Sequence, residues 1–135
     1  MATTLKLEII TPDATVYSED VEMVTLPGVE GEMGVFPLHV PLLTQMVPGE
    51  IVVRKAGVDS HFAVGEGLIE VTAGHVAILT DMAIAAEHID EAKVEEARRR
   101  AEARLQEKLS DEEVASVNSS LARSLAQLHV KRRHR

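Results

Sequence analysis

Glycine and proline are confined to one part of this chain. All 8 Gly and all 5 Pro of the 135 residues occur at or before Gly74. Glycine permits tight turns and proline interrupts regular hydrogen bonding, so long helices are disfavoured in the first part and favoured in the second. The sequence therefore predicts two architectures that meet near residues 86–90, with domains at residues 1–87 and 88–135.

The first part has the pattern of short β-strands. The run TLKLEII alternates apolar and charged residues, and DVEMVTLP sets Val21 and Met23 against Asp20 and Glu22. This period of two is typical of half-buried strands. Similar short runs follow, each ending at or near glycine or a polar turn: EIVVRKAG, SHFAVGEG, GLIEVTAG and HVAILTDMA. We predict an antiparallel β-sandwich or flattened barrel.

The second part has a helical period. Two sets of apolar residues each lie on one helical face, Ala97, Ala101, Leu105 and Leu109 in the first and Val114, Val117, Leu121, Leu125 and Leu128 in the second. The short break LSDEE between them predicts an antiparallel α-helical hairpin. The fold class is therefore α+β.

Capping residues mark where both helices begin. Asp90 is placed to cap the first helix, with Ile89 and Val94 as a hydrophobic staple, and Ser110 with Glu113 forms a capping box for the second. The first helix offers mainly alanine to the seam, which buries little apolar area. We therefore expect the hairpin to be only marginally held.

Charge and composition restrict the classes of function. The net charge is −8, with 3 Lys and Arg against 13 Asp and Glu in residues 1–87 but 11 against 9 in residues 88–135. This balance disfavours nucleic-acid binding.

The chain has no cysteine, which excludes disulfides and thiolate sites. No apolar run is long enough to span a membrane or follows a basic segment as in a signal peptide, so we expect a soluble protein that reaches a membrane only through a partner.

The sequence nominates no catalytic or metal-binding residue. The six histidines form no H-x-H or H-x-x-x-H pair, and none shares a short window with the carboxylates that a metal site needs. No G-x-S-x-G nucleophile elbow occurs. We therefore predict no catalytic residue, no metal and no cofactor.

The stretch GVEGEMGVFPLHVPLL, residues 28–43, contains three glycines and two prolines within sixteen residues. It lacks the lysine and the following helix of a phosphate-binding loop. We interpret its glycines as residues that adopt positive φ in tight turns, and Pro37 and Pro41 as residues that stiffen the chain around His39. On these grounds alone His39 is a turn histidine held by hydrogen bonds.

The sequence resembles the ε subunit of bacterial F-type ATP synthases, called δ in mitochondria. The resemblance rests on LEIITPD, LPGVEGEMGVFPLHVPLL, GLIEVTAGHVAILTDMA and IDEAKVEEARRRAEARL, which follow the family's order along essentially the whole chain. It implies a β-sandwich with a C-terminal helical hairpin at the foot of the rotating central stalk. The sandwich would bind the γ subunit and rest on the ring of c subunits at the cytoplasmic face of the bacterial inner membrane.

The resemblance also assigns roles to residues. Glu32 and His39 match positions that face the polar loops of the c ring. In the family the tail can extend beside γ into the catalytic α/β head and block ATP hydrolysis, which makes the basic residues of the first helix candidates for inhibition: Arg98, Arg99, Arg100 and Arg104. An alternative is that these arginines form a solvated face balanced by neighbouring glutamates.

Some family members bind ATP on the folded hairpin through a motif that resembles I/L-D-x-x-R-A with further arginines. Asp90, Arg100 and Arg123 match that motif, whereas Lys93 and Gln127 stand where it has arginine. Lysine loses the planar bidentate fork, and glutamine loses the charge. We expect weak or absent ATP binding.

Two other functions are compatible with the sequence. One is an interaction module outside the synthase with a coiled-coil tail, which would fail to co-purify with γ. The other is a β-sandwich hydrolase that uses Asp and His side chains, which a hydrolase screen would detect.

Overall fold

The computed structural model describes residues 3–134 and shows ten strands followed by two helices within that range. The strands are β1 (Leu5–Ile10), β2 (Thr15–Val21), β3 (Met23–Gly28), β4 (Gly31–Val35), β5 (Leu42–Met46), β6 (Gly49–Lys55), β7 (Val58–Val64), β8 (Gly67–Thr72), β9 (His75–Thr80) and β10 (Ala83–Ala85). A 3₁₀ turn (Ala86–His88) leads to α1 (Glu91–Arg104) and α2 (Asp111–Arg133). The predicted α+β fold is confirmed.

The strands form one sheet that folds over into a nearly closed sandwich. Their order is β10-β7-β6-β3-β5-β8-β9-β1-β2, and β4 pairs with β3. The Lys55–Glu19 ion pair, at 3.1 Å, links the end of β6 to β2. Neighbours are antiparallel with one difference from the prediction, because β1 pairs in parallel with β9. The first strand thus joins the sheet beside a strand from the far end of the domain.

The core lies between the faces of the sandwich. Alternate residues of β1 are buried, as its sequence predicts, and Leu7 and Ile9 are fully inaccessible. The run DVEMVTLP is not one strand, since a bend at Glu22 separates β2 from β3. Val21 is buried as predicted, but the inward residues of β3 are Val24 and Leu26. The prediction of Met23 as an inward residue is therefore wrong.

The glycines of residues 28–43 serve different purposes. Only Gly31 among the three has a positive φ, of 126°. Gly28 lies opposite Gly31 in the β3–β4 hairpin, and a Cβ there would come within 2.9 Å of the Gly31 carbonyl oxygen. The tight-turn interpretation holds for Gly31 and is wrong for Gly28 and Gly34. A second positive φ, of 71°, falls on Leu38 between Pro37 and His39.

The predicted helix starts are confirmed. The Asp90 carboxylate accepts a hydrogen bond from the Lys93 backbone N–H, and Ser110 and Glu113 form a reciprocal capping box. The first helix is shorter than predicted, because α1 ends at Arg104. Leu105 and Leu109 of the predicted apolar face therefore lie beyond its last turn.

The hairpin packs on the sandwich through a second, smaller core. α2 contacts α1, β6 and β7. This second core consists of buried apolar residues from three segments, Ala63, Ala86, Ile89, Val94, Leu128 and Val130. Leu125, predicted to lie in the seam, is 48% exposed, because the sandwich as well as α1 determines which side of α2 is buried.

Candidate functional site

An exposed apolar loop follows β4. Phe36, Leu38, Val40 and Leu43 are 57%, 69%, 71% and 66% exposed. Contiguous exposed apolar groups of this kind mark surfaces that bind other macromolecules. The loop of residues 36–43 is therefore a candidate docking surface.

His39 lies inside this loop with its orientation set by the backbone. Its backbone N–H donates to the Phe36 carbonyl at 3.3 Å, and its Nδ1 lies 2.7 Å from the Val40 carbonyl oxygen. Because a carbonyl only accepts, Nδ1 carries the proton. In the neutral ring, Nε2 remains as an acceptor for a polar partner.

Glu32 lies on β4 beside α2. It is exposed and lines a cleft of about 660 Å³ between the ends of the sandwich strands and α2, together with Leu125 and His129. The structure thus puts Glu32 at the cleft and His39 in the loop that follows the same strand.

The four arginines of α1 each contact a carboxylate. Arg98 pairs with Glu95 and Glu102, Arg99 with Glu95 at 3.5 Å, Arg100 with Glu96 at 2.9 Å, and Arg104 with Glu107 at 3.8 Å and Glu113 at 3.5 Å. The predicted balance of charge by neighbouring glutamates is confirmed for the folded hairpin. The Arg99 and Arg100 side chains remain 74% and 67% exposed, so these two guanidinium groups are accessible to other partners.

Glu95 connects the two helices electrostatically. It accepts hydrogen bonds from Arg98 and, at 2.9 Å, from Arg132 of α2. The Arg98 hydrogen bond is the main reason that the pKa of Glu95 lies below its ordinary value; partial desolvation opposes this effect, and Arg132 adds to it.

The residues that match the ATP motif have separate protein contacts. Asp90 caps α1, accepting from the Lys93 backbone N–H at 3.2 Å. Arg100 pairs with Glu96, whereas Arg123 pairs with Asp81 of the sandwich at 3.1 Å. Asp90 and Arg100 are separated by about 15 Å along the helix axis. In this arrangement Asp90, Arg100 and Arg123 serve a cap and two ion pairs.

One cluster of potential metal-ligating side chains is missing from the sequence predictions. Glu50 of β6, His61 of β7 and His134 at the end of α2 place potential metal-ligand atoms within 4.8 Å of one another. The sequence predicts no metal site because these residues come from three distant segments. Local spacing carries no signal for them; only the packing of α2 on the sandwich brings them together.

No helix among residues 3–134 is long and apolar enough to cross a membrane.

Both parts of the chain match one protein family. Residues 4–86 match the ATP synthase delta/epsilon chain beta-sandwich domain, and residues 87–132 match its long alpha-helix domain. The ATP synthase epsilon chain of Herpetosiphon aurantiacus is 41% identical over 126 residues, covering 93% of each chain. That of Laribacter hongkongensis is 38% identical over 127 residues, covering 93% of this chain and 91% of the relative.

Solved structures share this fold. A chain of the Euglena gracilis mitochondrial ATP synthase, in a structure described as OSCP/F1/c-ring in rotational state 1, superposes with a TM-score of 0.75 and is 26% identical, covering 99% of this chain and 84% of its own. A chain of the Tetrahymena thermophila central stalk and c-ring structure shares the fold, with a TM-score of 0.64, 15% identity, and coverage of 93% and 95%. The chain described here belongs to the ATP synthase delta/epsilon chain family.

Proposed function

We propose that this chain is a non-catalytic rotor subunit in the central stalk of an F-type ATP synthase, which couples γ to the c ring and restrains ATP hydrolysis through its helical tail. The main support is the match of both domains, in order, to delta/epsilon chains over residues 4–132. The Euglena neighbour, whose structure is described as containing F1 and the c ring, supports the same assignment.

The loop of residues 36–43 and Glu32 are the proposed contact with the c ring. The loop offers exposed apolar side chains around a backbone-oriented imidazole. Glu32 adds a carboxylate from the preceding strand. This combination suits a docking surface that must engage both apolar and polar groups. In this assignment the protein is peripheral, bound to the cytoplasmic face of the bacterial inner membrane through the complex.

The tail is the proposed inhibitory element. The side chains of Arg99 and Arg100 are largely exposed, and the Glu96 partner of Arg100 is exposed as well, so acidic residues of the α/β head can engage these guanidinium groups at small cost to the hairpin. About 40 helical residues at about 1.5 Å each reach roughly 60 Å when extended. A tail held by a small second core is suited to two alternative positions.

Removing the tail tests the inhibitory role. We expect the reconstituted complex to hydrolyse ATP faster with a chain ending at Glu87 than with the full chain, while γ binding is retained. The comparison requires equal occupancy of the subunit in both complexes, measured by quantitative gel analysis. Equal hydrolysis rates at equal occupancy would contradict the inhibitory role.

Replacing Arg98, Arg99, Arg100 and Arg104 by alanine separates inhibition from folding. The ion pairs of Arg100 and Arg104 are exposed on both sides. Such pairs contribute only about 0 to 1 kcal/mol each to stability, whereas charges that meet an acidic, partly desolvated surface contribute more. We expect the variant to lose much of its inhibition of ATP hydrolysis while its free energy of unfolding changes little. A sharp fall in melting temperature with unchanged inhibition would show that the arginines serve only the hairpin.

A further inference from the structure

A carboxylate and two imidazoles join the end of α2 to the sandwich. Glu50 Oε2 lies 3.2 Å from His61 Nδ1 and 2.5 Å from His134 Nε2. The other carboxylate oxygen, Oε1, accepts from Arg133 at 2.9 Å. Arg133 therefore holds the Glu50 carboxylate with Oε2 directed at both histidines.

One nitrogen of this cluster has an unmet bonding capacity. Within residues 3–134, His61 Nδ1 is the buried side-chain nitrogen or oxygen that lacks a hydrogen-bond partner, because its contact with Glu50 falls outside hydrogen-bond geometry. Buried polar atoms are nearly always satisfied, so such an atom requires an explanation. The Glu50 side chain beside it is only 10% exposed.

We propose that Glu50, His61 and His134 bind one divalent transition-metal ion of the zinc class. Two imidazole nitrogens and a carboxylate oxygen are a common donor set for Zn²⁺, and a water supplies the fourth ligand of such three-residue sites. The ion would satisfy His61 Nδ1, and Arg133 would orient the carboxylate from outside the coordination sphere.

Binding requires one local rearrangement. The His61 and His134 rings are stacked, with centroids 3.6 Å apart and planes inclined by 22°. Tetrahedral zinc with bonds of about 2.0 to 2.1 Å separates its ligand atoms by roughly 3.3 Å and needs each lone pair to point at the ion. His134 must therefore turn away from the stack and move back from Glu50. Its position as the residue that follows α2 allows this movement.

The consequence is a cross-link between the two parts of the chain. Glu50 and His61 belong to adjacent sandwich strands, and His134 belongs to the tail. An ion that engages all three retains the tail in its folded position. The site extends beyond the proposed rotor function, and its existence does not depend on that function.

Zinc affinity of the full chain tests the site. Competition with a chromogenic zinc chelator at mildly alkaline pH, where protons compete least for the ligands, should show one ion per chain. Mg²⁺ should not compete, because it prefers all-oxygen octahedral sites. Absence of zinc binding, or competition by Mg²⁺, would overturn the proposal.

Matched variants locate the ion. A chain ending at Arg133 lacks His134 and should bind zinc weaker by on the order of tenfold or more, whereas a chain ending at His134 should bind like the full chain. His61→Gln should weaken binding similarly, and the exposed His88→Gln should not. Unchanged affinity on removal of His134, which does not threaten the fold, would overturn the proposal even if His61→Gln fails to fold.

Proteolysis tests the cross-link without any assay of ATP hydrolysis. Trypsin cleaves after Lys131 and Arg132, in the last turn of α2. Zinc should slow cleavage there in the chain that ends at His134 and leave its rate unchanged in the chain that ends at Arg133. Equal rates with and without zinc in both chains would refute the cross-link. A failure of the rotor assignment would leave both zinc results intact.

Discussion

Two glycines with similar strand contexts have different surroundings. A Cβ at Gly67 of β8 would come within 1.9 Å of the Leu79 backbone carbonyl oxygen. At Gly34 of β4 the nearest atom, Met23 Cε, is 3.5 Å away, which is an ordinary contact. Gly67 is therefore required by close approach of the neighbouring strand β9, whereas Gly34 is not required by sterics.

We predict that Gly67→Ala lowers the free energy of unfolding by about 1 to 3 kcal/mol, because backbone must shift to admit the methyl group. Gly34→Ala should change it by less than about 0.5 kcal/mol. Urea denaturation of both variants and the wild type measures the difference. Equal urea midpoints for the two variants would show that β9 shifts to admit the methyl group without loss of stability.

The ATP motif makes a second prediction at the residue scale. Charged hydrogen bonds contribute roughly 1.5 to 3 kcal/mol each. Because Lys93 keeps a charge and loses only the bidentate fork, Lys93 and Gln127 together cost about 2 to 5 kcal/mol. That is on the order of a 30- to several-thousand-fold loss of affinity relative to the arginine-containing motif. We expect calorimetric titration of the isolated chain with ATP and magnesium to show weak or no binding.

The double variant Lys93→Arg with Gln127→Arg supplies the matched comparison. It should bind ATP more tightly than the wild type if the missing guanidinium groups limit affinity. A micromolar isotherm with the wild type, abolished by Asp90→Ala, would contradict the prediction.

At the scale of elements, the contact of α1 with α2 has a polar component centred on Glu95. The carboxylate accepts from Arg98 on its own helix and from Arg132 on the other. The pKa of Glu95 is lowered chiefly by the Arg98 hydrogen bond, and the pKa of Glu113 is lowered by its hydrogen bond from the Ser110 backbone N–H. Both groups therefore stabilise the hairpin in their charged forms.

The sign of the pH dependence follows from these lowered pKa values. The stabilisation is fully present above the unfolded glutamate value of 4.5 and is lost as pH falls through the lower folded value. We predict that Glu95→Gln lowers the melting temperature near neutral pH. The difference in melting temperature from the wild type should disappear as pH falls through the folded pKa of Glu95. Thermal unfolding followed by circular dichroism across this range measures the gap.

Glu96→Gln is the control for this experiment, because Glu96 is exposed and its ion pair with Arg100 lies within α1. Its melting temperature should stay closer to wild type at every pH. A gap for Glu95→Gln that does not narrow on acidification would contradict the assigned role of its charge.

On the scale of the whole molecule, the buried apolar residues form two separate clusters. Among residues 3–134, the main core consists of sixteen buried residues, all between Leu5 and Ile78. The second core unites Ala63 and Ala86 with residues of the 3₁₀–α1 connection and the two helices. The sandwich thus contains its own complete core, and the tail depends on the sandwich for part of its burial.

We predict that a chain ending at Glu87 folds on its own and binds γ. Exposing Ala63 and Ala86 should cost roughly 1 to 2 kcal/mol. The β signal in circular dichroism should persist, with a melting temperature reduced by several degrees. Loss of that signal would show that the sandwich requires the tail.

The sequence by itself determined the features that arise from neighbouring residues. Alternation predicts β1, a period of 3.6 predicts both helices, and Asp90 and Ser110 cap them as their spacing predicts. These features depend on local hydrogen bonds and on one buried face, which a short window records. The pairing of the α1 arginines with neighbouring glutamates has the same local origin, and the sequence offers it as one of two alternatives.

Only the tertiary structure decided what depends on distant segments. The parallel pairing of β1 with β9, the exposure of Leu125 and the meeting of Glu50, His61 and His134 each result from packing between elements far apart in the chain. The sequence does not distinguish Gly28, Gly34 and Gly67, yet the distance from a Cβ to the nearest atom of a neighbouring strand differs among them. Such contacts depend on how distant segments pack together. A short window of sequence contains no information about that packing.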